Sequence, residues 1–353
     1  MKQINKTLGN KLIEWYRQNK RDLPWRDTGN AYDVWLSEIM LQQTRIEAVK
    51  PKFYLFKETF PTIEDLSKAD DDLLLRVWEG LGYYSRARNL KKCAQILVKE
   101  YNGKLPEEYD QLIKLPGIGP YTAGAIASIA YHKPHSAVDG NALRIFARLF
   151  EITDDIRDTK TKDNIQTIID NYLKKDPEQS SDFNQGCMEL GEVICVPNGK
   201  PKCDICPIHE FCLASIHNKI ETIPYRSALA KRKIINRTLL IIRDGDHFLI
   251  RKREKKGLLG GMYEFIGVDS FLTKDEIINT LEKQNIYPLK ITKLPDAKHI
   301  FTHLEWHMHA YEITVEQIES IEKEDYMLFD RIDLLSKAIP SAFKKYKDYY
   351  ALR

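Results

Sequence analysis

LPGIGPYTAGAIASIA, residues 115–130, joins two apolar helical stretches through a turn in which Gly117 and Gly119 alternate with Pro116, Ile118 and Pro120. A second Pro/Gly-rich break follows at 132–141, HKPHSAVDGN, so the region reads as helix, tight turn, helix, loop and helix. Glycines at a helix start permit a tight turn and leave backbone N–H groups at the positive end of the helix dipole, open to close approach by an anion such as a phosphate. The turn is a weak signal by itself, since many helix pairs are joined this way. An aspartate downstream, Asp139, sharpens it. That residue is placed to cap the helix beginning near Asn141, and an ionised carboxylate held at a helix start is expected to stay charged at neutral pH.

Outward from this stretch, helical periodicity runs from the N-terminus to about residue 215, with apolar residues recurring three and four apart as in Leu66, Leu73, Leu74, Val77 and Trp78. This half reads as all-α. A polar, basic segment over 216–233 then lacks periodicity and is read as a linker. From 234 to 353 the character changes to α+β. RTLLIIRDGDHFLIRKR (237–253) holds two β-rich runs joined at Asp244-Gly245-Asp246, KDEIINTLEKQ has helical spacing, and HMHAYEIT is a further strand. Two domains suit a chain of 353 residues.

At 43% hydrophobic and 30% charged the composition is that of an ordinary globular chain. No stretch is long enough to span a bilayer, and the N-terminal sequence lacks a secretory pattern, so a cytoplasmic location without membrane partners is expected. The net charge of +3 says little about nucleic acid, but basic clusters at Lys91-Lys92, Lys231-Arg232-Lys233 and Arg251-Lys252-Arg253 with Lys255-Lys256 are suited to phosphates, or simply to solvent.

Cys93 and Cys187 stand alone, whereas Cys195, Cys203, Cys206 and Cys212 crowd into one segment. Four thiolates at this spacing suit a tetrahedral zinc or a [4Fe–4S] cluster. Zinc ribbons tend to have two tight Cys-x-x-Cys pairs, and only Cys203 and Cys206 are that close, so the cluster fits better.

Glu38 sits in AYDVWLSEIMLQQTR (31–45) among Trp35, Leu36, Ile39, Met40 and Leu41. If buried there, its carboxyl would have a raised pKa and hold a proton near neutrality; the other reading is an exposed position on an amphipathic helix.

Taken together these motifs carry a family resemblance. LPGIGPYTAG looks like a helix-hairpin-helix DNA-binding element. The cysteine segment resembles the iron–sulfur loop of the endonuclease III superfamily, with one extra residue accommodated in VPNGKPK. WLSEIMLQQTR is similar to the catalytic helix of adenine DNA glycosylases of the MutY type. That resemblance implies an enzyme that removes adenine mispaired with 8-oxoguanine or guanine from double-stranded DNA, acting as a monomer on a flipped-out base. Glu38 is then the general acid to adenine and Asp139 the carboxylate that handles the oxocarbenium-like sugar. Tyr121 falls where strand-cleaving relatives carry a lysine, which implies a monofunctional enzyme whose tyrosine hydroxyl assists near the sugar or Asp139. By the same resemblance Asn141 orients water or a carboxylate, and Arg26 and Gln185 bind the adenine edge. Gln43, Thr44 and Tyr83 contact or wedge beside the orphaned base. Residues from 234 onward resemble a Nudix-like C-terminal domain, in which Phe301-Thr302-His303 stands where Phe-Ser-His contacts oxidised guanine. KDEIINTLEKQNIYP lacks the REx-x-EE core of Nudix hydrolases, which makes phosphohydrolase activity an unfavoured reading.

The rival closest in kind is an endonuclease III-like glycosylase and lyase acting on oxidised pyrimidines. Tyr121, the setting of Glu38 and the second domain argue against it. A non-enzymatic cluster protein that only binds DNA is opposed by the retention of both carboxylates.

Overall fold

The computed structural model describes residues 2–228, 231–254, 257–318 and 326–351; Lys255 and Lys256 of the third basic cluster lie outside them. Two compact units are formed, Met1–Ala69 with Arg88–Ala228, and Asp70–Ala87 with Leu229–Arg353. Among the described residues no helix is long and apolar enough to cross a membrane.

The first unit is helical. The Ala31–Leu41 helix starts at Asn30, whose side chain accepts from the Tyr32 N–H, and every residue from Tyr32 to Met40 is buried. A helix buried on all sides needs apolar residues all round, which the sequence supplies except at Asp33, Ser37 and Glu38. Against it pack the Pro120–Ala125 helix and the π-helical turn Ile126–Ala130 that continues it. The Ile46–Thr59 helix packs on the Ala31–Leu41 helix as well, and the Ser180–Val193 helix packs in turn on the π-helical turn and on the Gly140–Leu149 helix.

Close packing positions the loop that carries Asp139. A Cβ on Gly124 would lie 2.0 Å from the Ser136 carbonyl oxygen, so only glycine lets the helix and the loop meet. Asn184, 2% exposed on the Ser180–Val193 helix, donates to the His135 carbonyl and the Ser128 hydroxyl and accepts from the Ala137 N–H. Its three hydrogen bonds thus tie that loop to the π-helical turn, and leaving a buried amide half-satisfied would be costly.

The second unit is built on a six-stranded mixed sheet of β1 (Lys233–Asp244), β2 (His247–Lys252), β3 (Tyr263–Val268), β4 (Lys290–Ile300), β5 (Leu304–Thr314) and β6 (Tyr326–Phe329). The strand order is β4-β5-β1-β3-β2-β6, with β1 and β5 parallel. The hairpin expected at 244–246 is present, with Gly245 at φ 55° between the paired residues Asp244 and His247. Leu239 and Ile241 of β1 face Phe265, Trp306 and Phe343, while Leu240 and Ile242 face Ile277 and Leu281 of the Lys274–Glu282 helix. Both faces are covered, which is why β1 reads as a continuous apolar run.

One helical segment expected within a contiguous domain over 1–215 groups instead with this sheet. Asp72 accepts from the Tyr263 hydroxyl at 2.7 Å and from Lys252 Nζ at 3.3 Å, and Glu79 accepts from Lys347 Nζ at 3.2 Å. Acidic residues spaced along Asp70–Ala87 thus find their counter-charges on strands and a helix nearly two hundred residues or more away in sequence.

Replacing Gly124 by alanine is expected to destabilise the helical unit by about 1–3 kcal/mol through overpacking, whereas alanine at Gly140, around which a Cβ meets nothing within 4 Å, should change little. Thermal denaturation followed by circular dichroism measures both.

Candidate active site

A cavity of about 1120 Å³ opens within the helical unit, and Glu38, Tyr121, Asp139 and Asn141 all line it. Arg26, Gln43, Thr44 and Gln185 line it as well, so eight residues singled out in the sequence converge on one space.

Glu38 is 6% exposed, and its carboxylate accepts a hydrogen bond from the Tyr121 hydroxyl. Burial pushes its pKa up to about 7, against the opposing hydrogen bond from Tyr121; nearby Asp139 pushes the same way as burial, and Arg26 opposes it. Burial wins, so the group stays protonated into the neutral range. The same surroundings, with Glu38 beside it, hold the Tyr121 phenol well above its ordinary range, so it remains a neutral donor. Its hydroxyl is engaged by Glu38 and not by Asp139, the alternative that sequence left open.

Asp139 is the N-cap of the Gly140–Leu149 helix and accepts from the Ala142 N–H at 2.8 Å and from Asn141 Nδ2 at 2.7 Å. The expected cap is present, and burial acts on the same carboxyl. Burial raises its pKa and outweighs the lowering by the Ala142 and Asn141 hydrogen bonds and by Arg144. Asn141 is in turn fixed by Arg144, which donates to its Oδ1 at 2.7 Å and to the carbonyls of Gly191 and Cys195 at 2.8 and 2.7 Å. Arg144, buried and missed in the sequence, thereby ties Asp139 through Asn141 to the cysteine segment. Gly191 leaves room for Asn141, whose side chain a Cβ would meet at 2.5 Å.

Arg26 is held by Glu189, which accepts from its Nη2 at 2.9 Å, and donates to the Arg21 carbonyl at 2.8 Å. Its Nε is buried and finds no acceptor among the described residues. Gln185 Nε2 donates to Ser181. Gln43 adopts a left-handed backbone, φ 57°, where the helix ends. At the hairpin, Gly117 has φ 79° and needs to be glycine, but Gly119 is extended at φ −94° and ψ −179°. The turn therefore does not require Gly119, contrary to expectation. What its missing side chain provides is open space at the start of the Pro120–Ala125 helix, which carries no side-chain cap.

Cys195, Cys203, Cys206 and Cys212 are unpaired thiols that line one small pocket with Arg148 and His209. Arg148 Nη1 donates to Cys195 Sγ at 3.2 Å. Burial holds the Cys206 thiol up to about 12 and raises Cys203 and Cys212 as well. Among the described residues no group of three or more His, Cys, Asp or Glu is disposed to hold a metal ion, so the thiols surround the pocket without being gathered on one point.

In the second unit, the turn between β4 and β5 is made by Phe301, Thr302 and His303. Thr302 and His303 are exposed, while Phe301 meets Trp306 edge-on at 4.9 Å. Tyr83, at φ 46° and 47% exposed, shares a 2.6 Å hydrogen bond with the Thr302 hydroxyl. Two residues separated by more than two hundred positions thus form one hydroxyl pair. Arg86 braces the turn below Tyr83 by donating to the carbonyls of Leu81 and Gly82.

Residues 36–171 match the family described as HhH-GPD superfamily base excision DNA repair protein, and residues 237–349 match the NUDIX domain. A solved thermostable thymine-DNA glycosylase is 26% identical, with a TM-score of 0.55 over 60% of this chain and 96% of its own. Helical hairpin, cavity and paired carboxylates therefore define a DNA glycosylase of base excision repair, extended by a Nudix-like domain. The adenine DNA glycosylase of Buchnera aphidicola (subspecies from Acyrthosiphon pisum) is 34% identical over 316 residues, 89% of either chain. The human adenine DNA glycosylase is 40% identical over 212 residues, 58% of this chain and 38% of that one. The chain belongs to the adenine DNA glycosylase family.

The buried acid has a consequence for stability. Between about pH 4.5 and about 7 an unfolded chain releases the Glu38 proton while the folded one keeps it, so this residue's contribution to stability falls as pH rises through that window. Glu38→Gln keeps an acceptor for Tyr121 without the ionisation. It should be more stable than the parent at pH 8, by up to about 3 kcal/mol, with the gain shrinking toward pH 5, as denaturant titrations at the two pH values would measure.

Proposed function

We propose that this adenine DNA glycosylase excises adenine lying opposite guanine or 8-oxoguanine in duplex DNA, and leaves the abasic strand intact. The observation that carries the reading is the pair of unlike carboxyl groups in one cavity, Glu38 bonded to Tyr121 and Asp139 at a helix start. Adenine is a poor leaving group as an anion, and a proton from Glu38 to a ring nitrogen lets it depart neutral. Asp139 faces the sugar, where its carboxylate stabilises the cation that develops as the bond breaks. Asn141 holds that carboxylate in place, and Arg26 and Gln185 meet the edge of the flipped base. Tyr121 keeps Glu38 oriented and offers no amine, so no imine forms with the opened sugar and no elimination follows. Without that imine the enzyme is monofunctional.

Thr302 and Tyr83 supply hydroxyls that read the orphaned base, and Gly117, Gly119 and the uncapped amides after them receive a backbone phosphate. Within the helical unit, Gln43 and Thr44 line the cavity and contact the DNA there. The protein works in this reading as a cytoplasmic monomer on double-stranded DNA.

Cys195, Cys203, Cys206 and Cys212 fit a [4Fe–4S] cluster, because four thiols that line one pocket without meeting at a single point suit a body larger than one ion and Arg148 offsets its negative charge. When bound, the cluster supplies a crosslink of the 195–212 segment and a redox-active centre. Protein purified anaerobically is expected to contain iron and sulfide and a broad visible absorption, all lost in a variant with Cys203 and Cys206 replaced by serine; stoichiometric zinc without iron would rule the cluster out.

The activity is tested on duplexes carrying adenine opposite guanine or 8-oxoguanine, under single-turnover conditions, with and without alkali. Adenine should be released at equal yield in both treatments, and strand scission should follow only alkali. Glu38→Gln and Asp139→Asn should lose at least about 100-fold in rate, the usual scale for an acid or an electrostatic stabiliser. Thr302→Ala should reduce the preference for 8-oxoguanine. Scission by the parent as fast as base release, or near-normal excision by either carboxyl variant, would overturn the corresponding assignment.

A further inference from the structure

Glu189 has no role in the chemistry above, yet it lies in the cavity wall and is 1% exposed, more deeply buried than Glu38. It stands on the Ser180–Val193 helix, on the face that also presents Gln185 and Met188 to the cavity. One carboxylate oxygen accepts from Arg21 Nε and the other from Arg26 Nη2 at 2.9 Å. Both arginines come from the irregular segment between the Lys6–Asn19 and Ala31–Leu41 helices. Arg26 is 8% exposed on its side chain, and its guanidinium also lies 5.5 Å from the centre of the Tyr16 ring.

A buried carboxylate with two guanidinium partners is an expensive arrangement, tolerated when its hydrogen bonds are complete. Here it does two things. It fastens the segment that carries Arg26 to the helix that carries Gln185, and it cancels charge close to Glu38. The groups facing Glu38 are Tyr121 from the Pro120–Ala125 helix, Asp139 from the start of the Gly140–Leu149 helix, and Arg26, the one cation among them. Asp33, on the same helix as Glu38, is paired with Lys57 at 2.8 Å.

We propose that Glu189 is a positioning residue of the adenine pocket, which fixes Arg26 in the cavity wall and offsets its charge in the space it shares with Glu38. The proposal rests on the reading of Glu38 as the acid. With Glu189 neutral, Arg26 would act on Glu38 with its full charge in a poorly solvated cavity and favour the ionised form. With Arg21 neutral, Glu189 would answer to Arg26 alone and the balance would tilt the other way.

The test is the pH profile of single-turnover adenine excision from a duplex with adenine opposite guanine, from about pH 5 to pH 9. In the parent the rate should fall on the alkaline side as Glu38 ionises. Glu189→Gln should move that limb down by about 1 pH unit, Arg21→Gln should move it up, and Glu189→Asp should restore the parent position. A change in stability alone moves no limb in opposite directions, and melting curves of each variant separate the two effects. Should Glu189→Gln fail to fold, Arg21→Gln and Glu189→Asp still carry the test. An unmoved limb in the folded variants overturns the role of Glu189. A parent profile with no alkaline limb, or active Glu38→Gln, overturns instead the role of Glu38.

Discussion

Gly124 approaches the Ser136 carbonyl so closely that no side chain fits between them, and that approach lets a helix and a loop share one wall of the cavity. From it follows the position of Asp139, three residues further along, and the need for Asn184 to absorb the polar groups that the approach buries. The Ala31–Leu41 helix packs on the other side of the same segment, bringing Glu38 to Tyr121. A larger residue at 124 would separate these parts even if every helix still formed.

The two carboxyl groups show how one cavity produces two acids of different character. Glu38 has the Tyr121 hydroxyl and the charge of Arg26 to offset its desolvation, whereas Asp139 has a backbone amide, the Asn141 amide and the charge of Arg144. Both are raised by burial, but the balance of opposing interactions differs, which suits one to keep a proton and the other to face a cation. Arg144 extends the second environment to the cysteine segment, since a single guanidinium serves Asn141 and the Cys195 carbonyl. A side chain that serves two places at once makes the geometry of each depend on the other.

In the second unit a buried charge group supports the sheet beside the exposed turn. Arg237, Arg251 and Arg253 all donate to Glu264, which is fully buried, and the Arg237 guanidinium lies 4.5 Å from the centre of the Trp306 ring. Trp306 in turn meets Phe301. The hydroxyl pair of Tyr83 and Thr302 is therefore supported from both sides, by Arg86 bonding the turn at Tyr83 and by Trp306 packing on Phe301, the neighbour of Thr302.

Much of this protein is local and so was legible in the chain itself. Apolar periodicity marked the helical half and the strands, glycine and proline marked the hairpin, and four cysteines within eighteen residues marked a pocket because chain proximity nearly forces them together. Glu38 and Asp139 stood out through the family resemblance of their segments, and the burial that gives Glu38 its proton was only one of two readings until the helix was seen enclosed. Glu189, Arg144 and Asn184 carried no local signal: each looks like a surface polar residue on an amphipathic helix, and apart from those Arg144 meets on its own helix their partners lie 47 to 168 positions away. The grouping of Asp70–Ala87 with the sheet, and with it the pairing of Tyr83 and Thr302, was likewise decided only in three dimensions. Sequence records which groups can bury, bend or bond; tertiary packing alone decides which distant groups share a low-dielectric space, and there the desolvation of one is offset by the charge of another.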